Sequence, residues 1–412
     1  MSQIANTQCL VVGGGPAGLM LAVLLARAGV SVRVLEKHAD FLRDFRGDTI
    51  HPSTMQVMHE LGWLQEFLDL PHVKLPRLSV NFGGRKLDMV DFSNLSVAAP
   101  YIAMMPQWDF LNFLAAKGSA YPGFHLELQA ETIDLVRHGD QISGVLAKTP
   151  RGSETFRADL IVAADGRSSL MRDKAGLTVV DIGAPMDVLW FRLEKEPGEE
   201  EGSLGRIEPG HIFIKLNRGN YWQCAYVFEK GGVERVRANG IESFREKVAW
   251  LAQVPIARTA QIASWDDAKL LSVKIDRLKT WHRPGLLCIG DAAHAMSPMG
   301  GVGVNLAVQD AVAAANLLWQ RLKAGQVSES DLAAVERRRT FPTKTTQEMQ
   351  VTMQKRIVEP VLSGQIMARP PWPMRLIDAV PLLRRLPGRL IGLGVRPEHV
   401  SDAIRRGGVT DA

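Results

Sequence analysis

Three separated stretches carry residue types that could do chemistry together. The first is Gly13-Gly14-Gly15-Pro16-Ala17-Gly18 and the second is Asp165-Gly166. The third is Gly290-Asp291-Ala292-Ala293-His294, followed by Pro298 and by Gly300-Gly301-Val302-Gly303-Val304-Asn305. In the first, one glycine permits a tight turn, one lets a pyrophosphate reach the backbone, and one lets helix and strand pack closely. Free N–H groups and the positive end of a helix dipole then favour a phosphate. Glu36, with Lys37 beside it, ends the next strand. A carboxylate there can accept hydrogen bonds from ribose hydroxyls. A turn that served packing alone would leave this acid unexplained. The reading is a dinucleotide site built from Gly13, Gly15, Pro16, Ala17, Gly18, Glu36 and Lys37. The motif does not separate NAD from FAD.

The elements that must position these residues follow from periodicity. Around the first motif the pattern reads strand (9–12), helix (16–28), strand (30–35), a βαβ start that predicts a parallel sheet. Met55, Met58, Leu61, Leu64 and Phe67 recur at helical spacing and predict a helix over 51–68. A helix is expected over 108–116 and a buried strand over 160–164. From 188 to 275 the pattern alternates, and Asn217-Arg218-Gly219-Asn220 reads as a hairpin turn. A buried strand returns at 286–289, with helices at 304–322 and 332–358. Beyond Pro370 the chain is broken by Pro371, Pro373, Pro381 and Pro387. That tail mixes Arg384, Arg385 and Arg389 with Leu and Ile. It reads either as short helices packed on the body or as a membrane-surface segment. The fold class expected is α/β: a discontinuous Rossmann-like domain with an inserted, mostly antiparallel sheet and a C-terminal helical tail. The dinucleotide-binding domain takes 1–75, 100–180 and 276–365, the inserted domain 76–99 and 181–275, and the tail 366–412.

Composition bounds the function class. The chain has 412 residues, 46% hydrophobic and 23% charged, with a net charge of +5. That suits a large core and two to three domains. The basic excess is too small and too scattered to indicate nucleic-acid binding. The longest early apolar run, 17–26, falls short of the roughly 20 residues needed to span a bilayer. The first residues lack a secretory pattern. Cys9, Cys224 and Cys288 lie in apolar, strand-like stretches without metal spacing. Buried, reduced thiols and a cytosolic location are expected.

Over residues 8–322 the three motifs, by their order and spacing, resemble the 4-hydroxybenzoate hydroxylase-like family of single-component FAD-dependent aromatic hydroxylases, the class A flavoprotein monooxygenases. The resemblance implies that FAD occupies the dinucleotide site. It places Asp165 near the pyrophosphate and the nicotinamide donor's path, although Asp165 also reads as the cap of a helix that follows. Asp291 would accept hydrogen bonds from the ribityl hydroxyls. The turn with Gly301, Gly303, Val304 and Asn305 would aim N–H groups at the flavin N1–O2 edge, where reduced flavin carries negative charge. Pro298 would lie against the flavin face at which oxygen reacts. Arg46 and Gln107 match family positions that touch the cofactor. His294 reads as a packing residue of the turn.

The reaction implied is hydroxylation of an aromatic or heteroaromatic small molecule through a flavin 4a-hydroperoxide. NADH or NADPH is the transient electron donor and O2 the co-substrate. The pocket must be dry. Trp190, Phe213, Tyr221, Trp222 and Tyr226 are candidate linings, and Tyr221 or His211 could assist a phenol's deprotonation. A second dinucleotide fingerprint and a redox Cys pair are both missing, as is the Trp-x-Trp-x-Ile-Pro signature of flavin halogenases. Two other readings fit the scaffold: a flavin-dependent reductase or dehydrogenase, and a non-catalytic flavoprotein that binds a small ligand.

Overall fold

The computed structural model describes residues 5–42, 49–199, 204–364 and 370–407. Its centre is an eight-stranded sheet. The strand Ala5–Val12 pairs in parallel with Gly152–Ala163 on one side and with Val32–Leu35 on the other. Phe124–Glu127 and Leu286–Cys288 extend the parallel run in the two directions. Parallel strands are covered on both faces and so are apolar throughout. Cys9, Leu10 and Val11, like Leu160, Ile161 and Val162, are wholly buried. Two further strands, Glu131–His138 and Gln141–Thr149, fold back antiparallel from Gly152–Ala163.

The helix Pro16–Arg27 follows the first strand and is buried along nearly its whole length. It packs against the helix Val302–Lys323, which is why its sequence shows no polar face. A Cβ at Gly18 would sit 2.0 Å from the Gly13 carbonyl oxygen, so only glycine allows this strand and helix to approach so closely. The helix expected over 51–68 is two, Pro52–Glu60 and Leu64–Leu68, because Gly62 takes φ +77° between them. The long helix expected over 332–358 is Glu329–Met353, opened by a Ser328 capping box and continued by a π-helical turn, Gln354–Val358. The stretch Met299–Lys323 is long and apolar enough to cross a membrane, but 67% of its most apolar window is inside the fold, as for a core helix.

A second sheet has seven strands. Their order is Lys269–Leu271, Met186–Glu194, Tyr221–Glu229, His211–Asn217, Leu204–Glu208, Arg77–Phe82, Arg85–Asp91. Every pair is antiparallel except Leu204–Glu208 with Arg77–Phe82. Because side chains alternate, each strand divides its residues between two faces. One face, with Phe191, Phe213, Trp222 and Tyr226, packs beneath the helix Gly240–Ala252 through Phe244, Val248 and Leu251. The other, with Val188, Trp190, Ile212 and Ile214, meets Met299, Val358 and Val361. The tail packs on the body as short helices. Met374 sits with Phe82 and Leu87, and Arg27 donates to the carbonyl oxygens of Ile404 (3.0 Å) and Arg405 (2.6 Å). All three cysteines are free and buried, and burial pushes their thiols well above the ordinary range.

Candidate active site

The first motif forms the turn its glycines require. Gly13 takes φ +105°, and a Cβ there would lie 2.4 Å from the Ala164 carbonyl oxygen. Gly15 is the N-cap of the helix Pro16–Arg27, with no side chain capping it and no acidic residue in the first turn. Among the described residues, a Cβ at Gly15 would meet nothing within 4 Å. The helix therefore presents an uncapped, positively polarised end to open space. Glu36 is buried at the end of its strand. It accepts from the Gly14 N–H (2.9 Å) and the His38 N–H (3.1 Å). Lys37 beside it is exposed.

The second motif is tied to both others. The half-buried Asp165 accepts from Ser169 Oγ (2.5 Å) and from the Met171 N–H (3.1 Å), so it holds the start of the short helix Leu170–Lys174. Burial pushes its carboxyl up. Arg172 donates to the carbonyl oxygens of Arg167 (2.6 Å) and Ala292 (3.4 Å). Arg167 in turn pairs with Asp291 at 3.1 Å. A Cβ at Gly290 would lie 3.0 Å from the Ala17 Cβ and 3.3 Å from the Ala307 Cβ. Gly290 is thus wedged between the first turn of one helix and the second turn of the other, with Asp291 beside it. The three motifs meet at one place.

The third motif ends in two left-handed glycines, Gly300 (φ +77°) and Gly301 (φ +64°). Gly301 is the N-cap of Val302–Lys323, again without a side-chain cap or a first-turn acid. A Cβ at Gly301 would lie 2.4 Å from Thr49 Oγ1, whereas one at Gly303 would meet nothing nearer than 4.0 Å. Val304 is half-buried. Asn305 is buried, and its Oδ1 accepts from Ser53 Oγ and from Thr54 Oγ1, fastening this helix to Pro52–Glu60. Two helix ends without side-chain caps, with an acid between them, fit a dinucleotide that carries a pyrophosphate at one end and an electron-rich ring edge at the other. Of the remaining cofactor residues, Gln107 begins the helix Gln107–Ser119, and Arg46 lies outside the described residues.

Pro298 is held from behind by residues that sequence reasoning missed. Gln350 accepts from the Ser297 N–H (3.1 Å) and donates to the carbonyl oxygens of Ser297 and Met299 (both 3.0 Å). Gln354, in the π-helical turn, donates to Ser297 Oγ (2.8 Å). Gln347 grips the carbonyl oxygens of Asp276 (2.7 Å) and Ala295 (3.1 Å). The spacing 347, 350, 354 puts the three on one helix face, and a buried stripe of amides was the available signal. His294 is a packing residue. It lies against Trp281 and shares the wholly buried Asp310 with Arg339, at 2.6 and 2.8 Å. Burial pushes the Asp310 carboxyl up, but His294 and Arg339 beside it pull it below the usual range. His51, also missed, is wholly buried with Nδ1 2.8 Å from the Ile391 carbonyl oxygen. Burial pushes it down to about 4.

The substrate candidates divide by strand parity. Trp190 lies on the face that meets Met299, and Tyr221 shares it, with Arg192 4.1 Å over its ring. Phe213, Trp222 and Tyr226 lie on the opposite face, in the core beneath Gly240–Ala252. His211 goes with them, against Trp250 and 3.3 Å from the Tyr226 hydroxyl; burial pushes it down. This corrects the expectation that all five aromatics line one pocket, and it turns His211 away from Pro298.

Comparison with known proteins agrees with this geometry. Residues 6–349 match the family model described as an FAD binding domain. The chain is 32% identical over 392 residues to the 6-methylpretetramide 4-monooxygenase of Streptomyces rimosus, covering 94% of this chain and 92% of that one. It is 25% identical over 341 residues to the para-nitrophenol 4-monooxygenase of Pseudomonas sp. strain WBC-3, covering 81% and 83%. Among solved structures, PqsL of Pseudomonas aeruginosa superposes with a TM-score of 0.74 at 21% identity, covering 88% of this chain and 98% of that one. The protein therefore belongs to the FAD-dependent aromatic hydroxylases and is an FAD-dependent monooxygenase.

Proposed function

We propose that this enzyme takes electrons from NADH or NADPH and hydroxylates an aromatic or heteroaromatic small molecule held between the Pro298 turn and the sheet face bearing Trp190 and Tyr221. The observation that carries the reading is the wedge of Gly290 between two uncapped helix starts, with Asp291 alongside. FAD, when bound, supplies the reductive activation of O2. The helix end at Gly15 would hold the pyrophosphate and Glu36 the adenosine ribose. Asp291, steered by Arg167, would hold the ribityl chain. The helix end at Gly301 would stabilise negative charge on the pyrimidine edge. Pro298, fixed by Gln350 and Gln354, would set the substrate-side wall. Trp190, Ile214 and Met299 make that wall apolar and keep water out.

The printed names of the relatives, a 6-methylpretetramide and a para-nitrophenol 4-monooxygenase, support an aromatic acceptor of oxygen. On this reading residues 1–75, 100–180 and 276–365 form the cofactor domain, 76–99 and 181–275 the substrate domain, and the enzyme works in the cytosol. The test is a screen of phenols, quinolones and heteroaromatic acids for stimulated NAD(P)H oxidation with oxygen uptake. A product that carries an oxygen atom from labelled O2 is expected. Turnover that proceeds equally without oxygen would point to a reductase, and tight binding without turnover to a sequestering protein.

A further inference from the structure

Six of the fourteen large apolar side chains exposed among the described residues fall within one short stretch of the tail: Trp372, Leu376, Val380, Leu382, Leu383 and Leu386. Trp372 is 72% exposed, and Leu382 and Leu386 are each 63% exposed. Clustering at this density is unlike the scatter of single exposed apolar residues on ordinary surfaces. The spacing explains it. Trp372, Leu376 and Val380 recur every four residues from the start of the helix Trp372–Ala379, and Leu382 and Leu386 repeat the step into the helix Arg385–Gly392. The inner side of the segment is anchored. Met374 packs on Phe82 and Leu87, Asp378 pairs with Arg85 (3.2 Å), and a Cβ at Gly388 would lie 2.3 Å from the Asp91 carbonyl oxygen. The outer side is therefore held in place and turned to solvent.

Its charge names the occupant. Between Pro370 and Gly392 the chain has four arginines and a single acid, Asp378. Arg384 is taken up by Asp88 and Asp378. Arg375, Arg385 and Arg389 are exposed and form no ion pair with any described residue. A second copy docked on this face by two-fold symmetry would set like charges against each other. An anionic lipid surface supplies both an apolar layer for Trp372 and the leucines and phosphates for the arginines. We propose that residues 372–389 are an interfacial anchor that seats the enzyme on anionic bilayers.

The test is flotation of the FAD-loaded, full-length enzyme with vesicles of phosphatidylcholine alone and of phosphatidylcholine mixed with phosphatidylglycerol. Binding to the mixed vesicles only is expected, and high salt should reverse it. Arg385→Gln and Arg389→Gln should each weaken binding about fivefold. Leu382→Asp with Leu386→Asp should abolish it while flavin absorbance and turnover of a water-soluble substrate stay unchanged. The arginine variants alter exposed, unpaired side chains, so they read the membrane contribution even where the aspartates disturb the tail. Failure to float, equal binding to neutral vesicles, or binding indifferent to these substitutions would overturn the proposal. So would light scattering that shows a dimer which Leu382→Asp turns into a monomer, because the occupant would then be a second copy.

Discussion

Replacing Gly15 and Gly18 separately by alanine distinguishes a glycine that makes room for a ligand from one that makes room for the fold. At Gly15 the backbone is φ −78° and ψ −175°, which any residue adopts, and the added methyl meets no atom of the described residues within 4 Å. Gly15→Ala should leave the apo-protein as stable as before, or stabilise it by about 0.4–1 kcal/mol by restricting the unfolded chain. The methyl would, however, intrude on the space off the helix end where the pyrophosphate must approach. Losing one charge-assisted hydrogen bond there costs about 1.5–3 kcal/mol, or roughly 10- to 150-fold in affinity. At Gly18 the methyl would sit 2.0 Å from a backbone oxygen, and strand and helix must part. Overpacking of that kind costs about 1–3 kcal/mol or more. Thermal unfolding of the apo-proteins and flavin-fluorescence titration with FAD separate the two. The reasoning fails if Gly15→Ala binds FAD as tightly as the parent, or if Gly18→Ala unfolds no more readily.

Three further outcomes follow from the same geometry. Asp291→Asn removes an ion pair whose side chains are 27% and 29% exposed, so apo-stability should move by less than about 1 kcal/mol; FAD affinity should still fall roughly tenfold, by the same titration. Gln350→Leu deletes three hydrogen bonds to Ser297 and Met299 and should cost about 3 kcal/mol. A loosened Pro298 turn should also divert reducing equivalents to hydrogen peroxide, measured against product formed. Buried His51 is held neutral with its folded value at about 4 against an ordinary 6.5. Its contribution is full above 6.5 and is lost as pH falls from 6.5 through about 4, to a total of about 3 kcal/mol. Denaturant melts across that window should show a shallower pH slope for His51→Asn; an unchanged slope would mean that His51 is not the group responsible.

How much of the site is legible in sequence depends on how local its cause is. The glycine turns are local: each needs a particular φ or a close approach that its own neighbours impose, as at Gly13 and Gly18. The strand alternation over 188–228 is local too, and it separates Trp190 from Phe191 without saying which faces the flavin. That choice is made by Gly240–Ala252, which covers the Phe213 and Tyr226 side, and by Met299, which comes from far along the chain. His211 lies on the covered side, against Trp250. The glutamines at 347, 350 and 354 look like solvated polar residues until the Ser297 backbone is set against them. Asp165 carried two readings in the sequence; it accepts from Ser169 Oγ and the Met171 N–H, while the N-cap of the helix Leu170–Lys174 is Ser169.

A crystal structure of the FAD-loaded enzyme measures directly whether the two helix ends hold opposite parts of one FAD. The pyrophosphate should lie against the start of Pro16–Arg27, the ribityl hydroxyls on Asp291, and the pyrimidine edge of the flavin against the N–H groups that open Val302–Lys323. An FAD whose pyrophosphate lies away from Gly15, or whose flavin turns its pyrimidine edge from Gly301 and Val302, would contradict it.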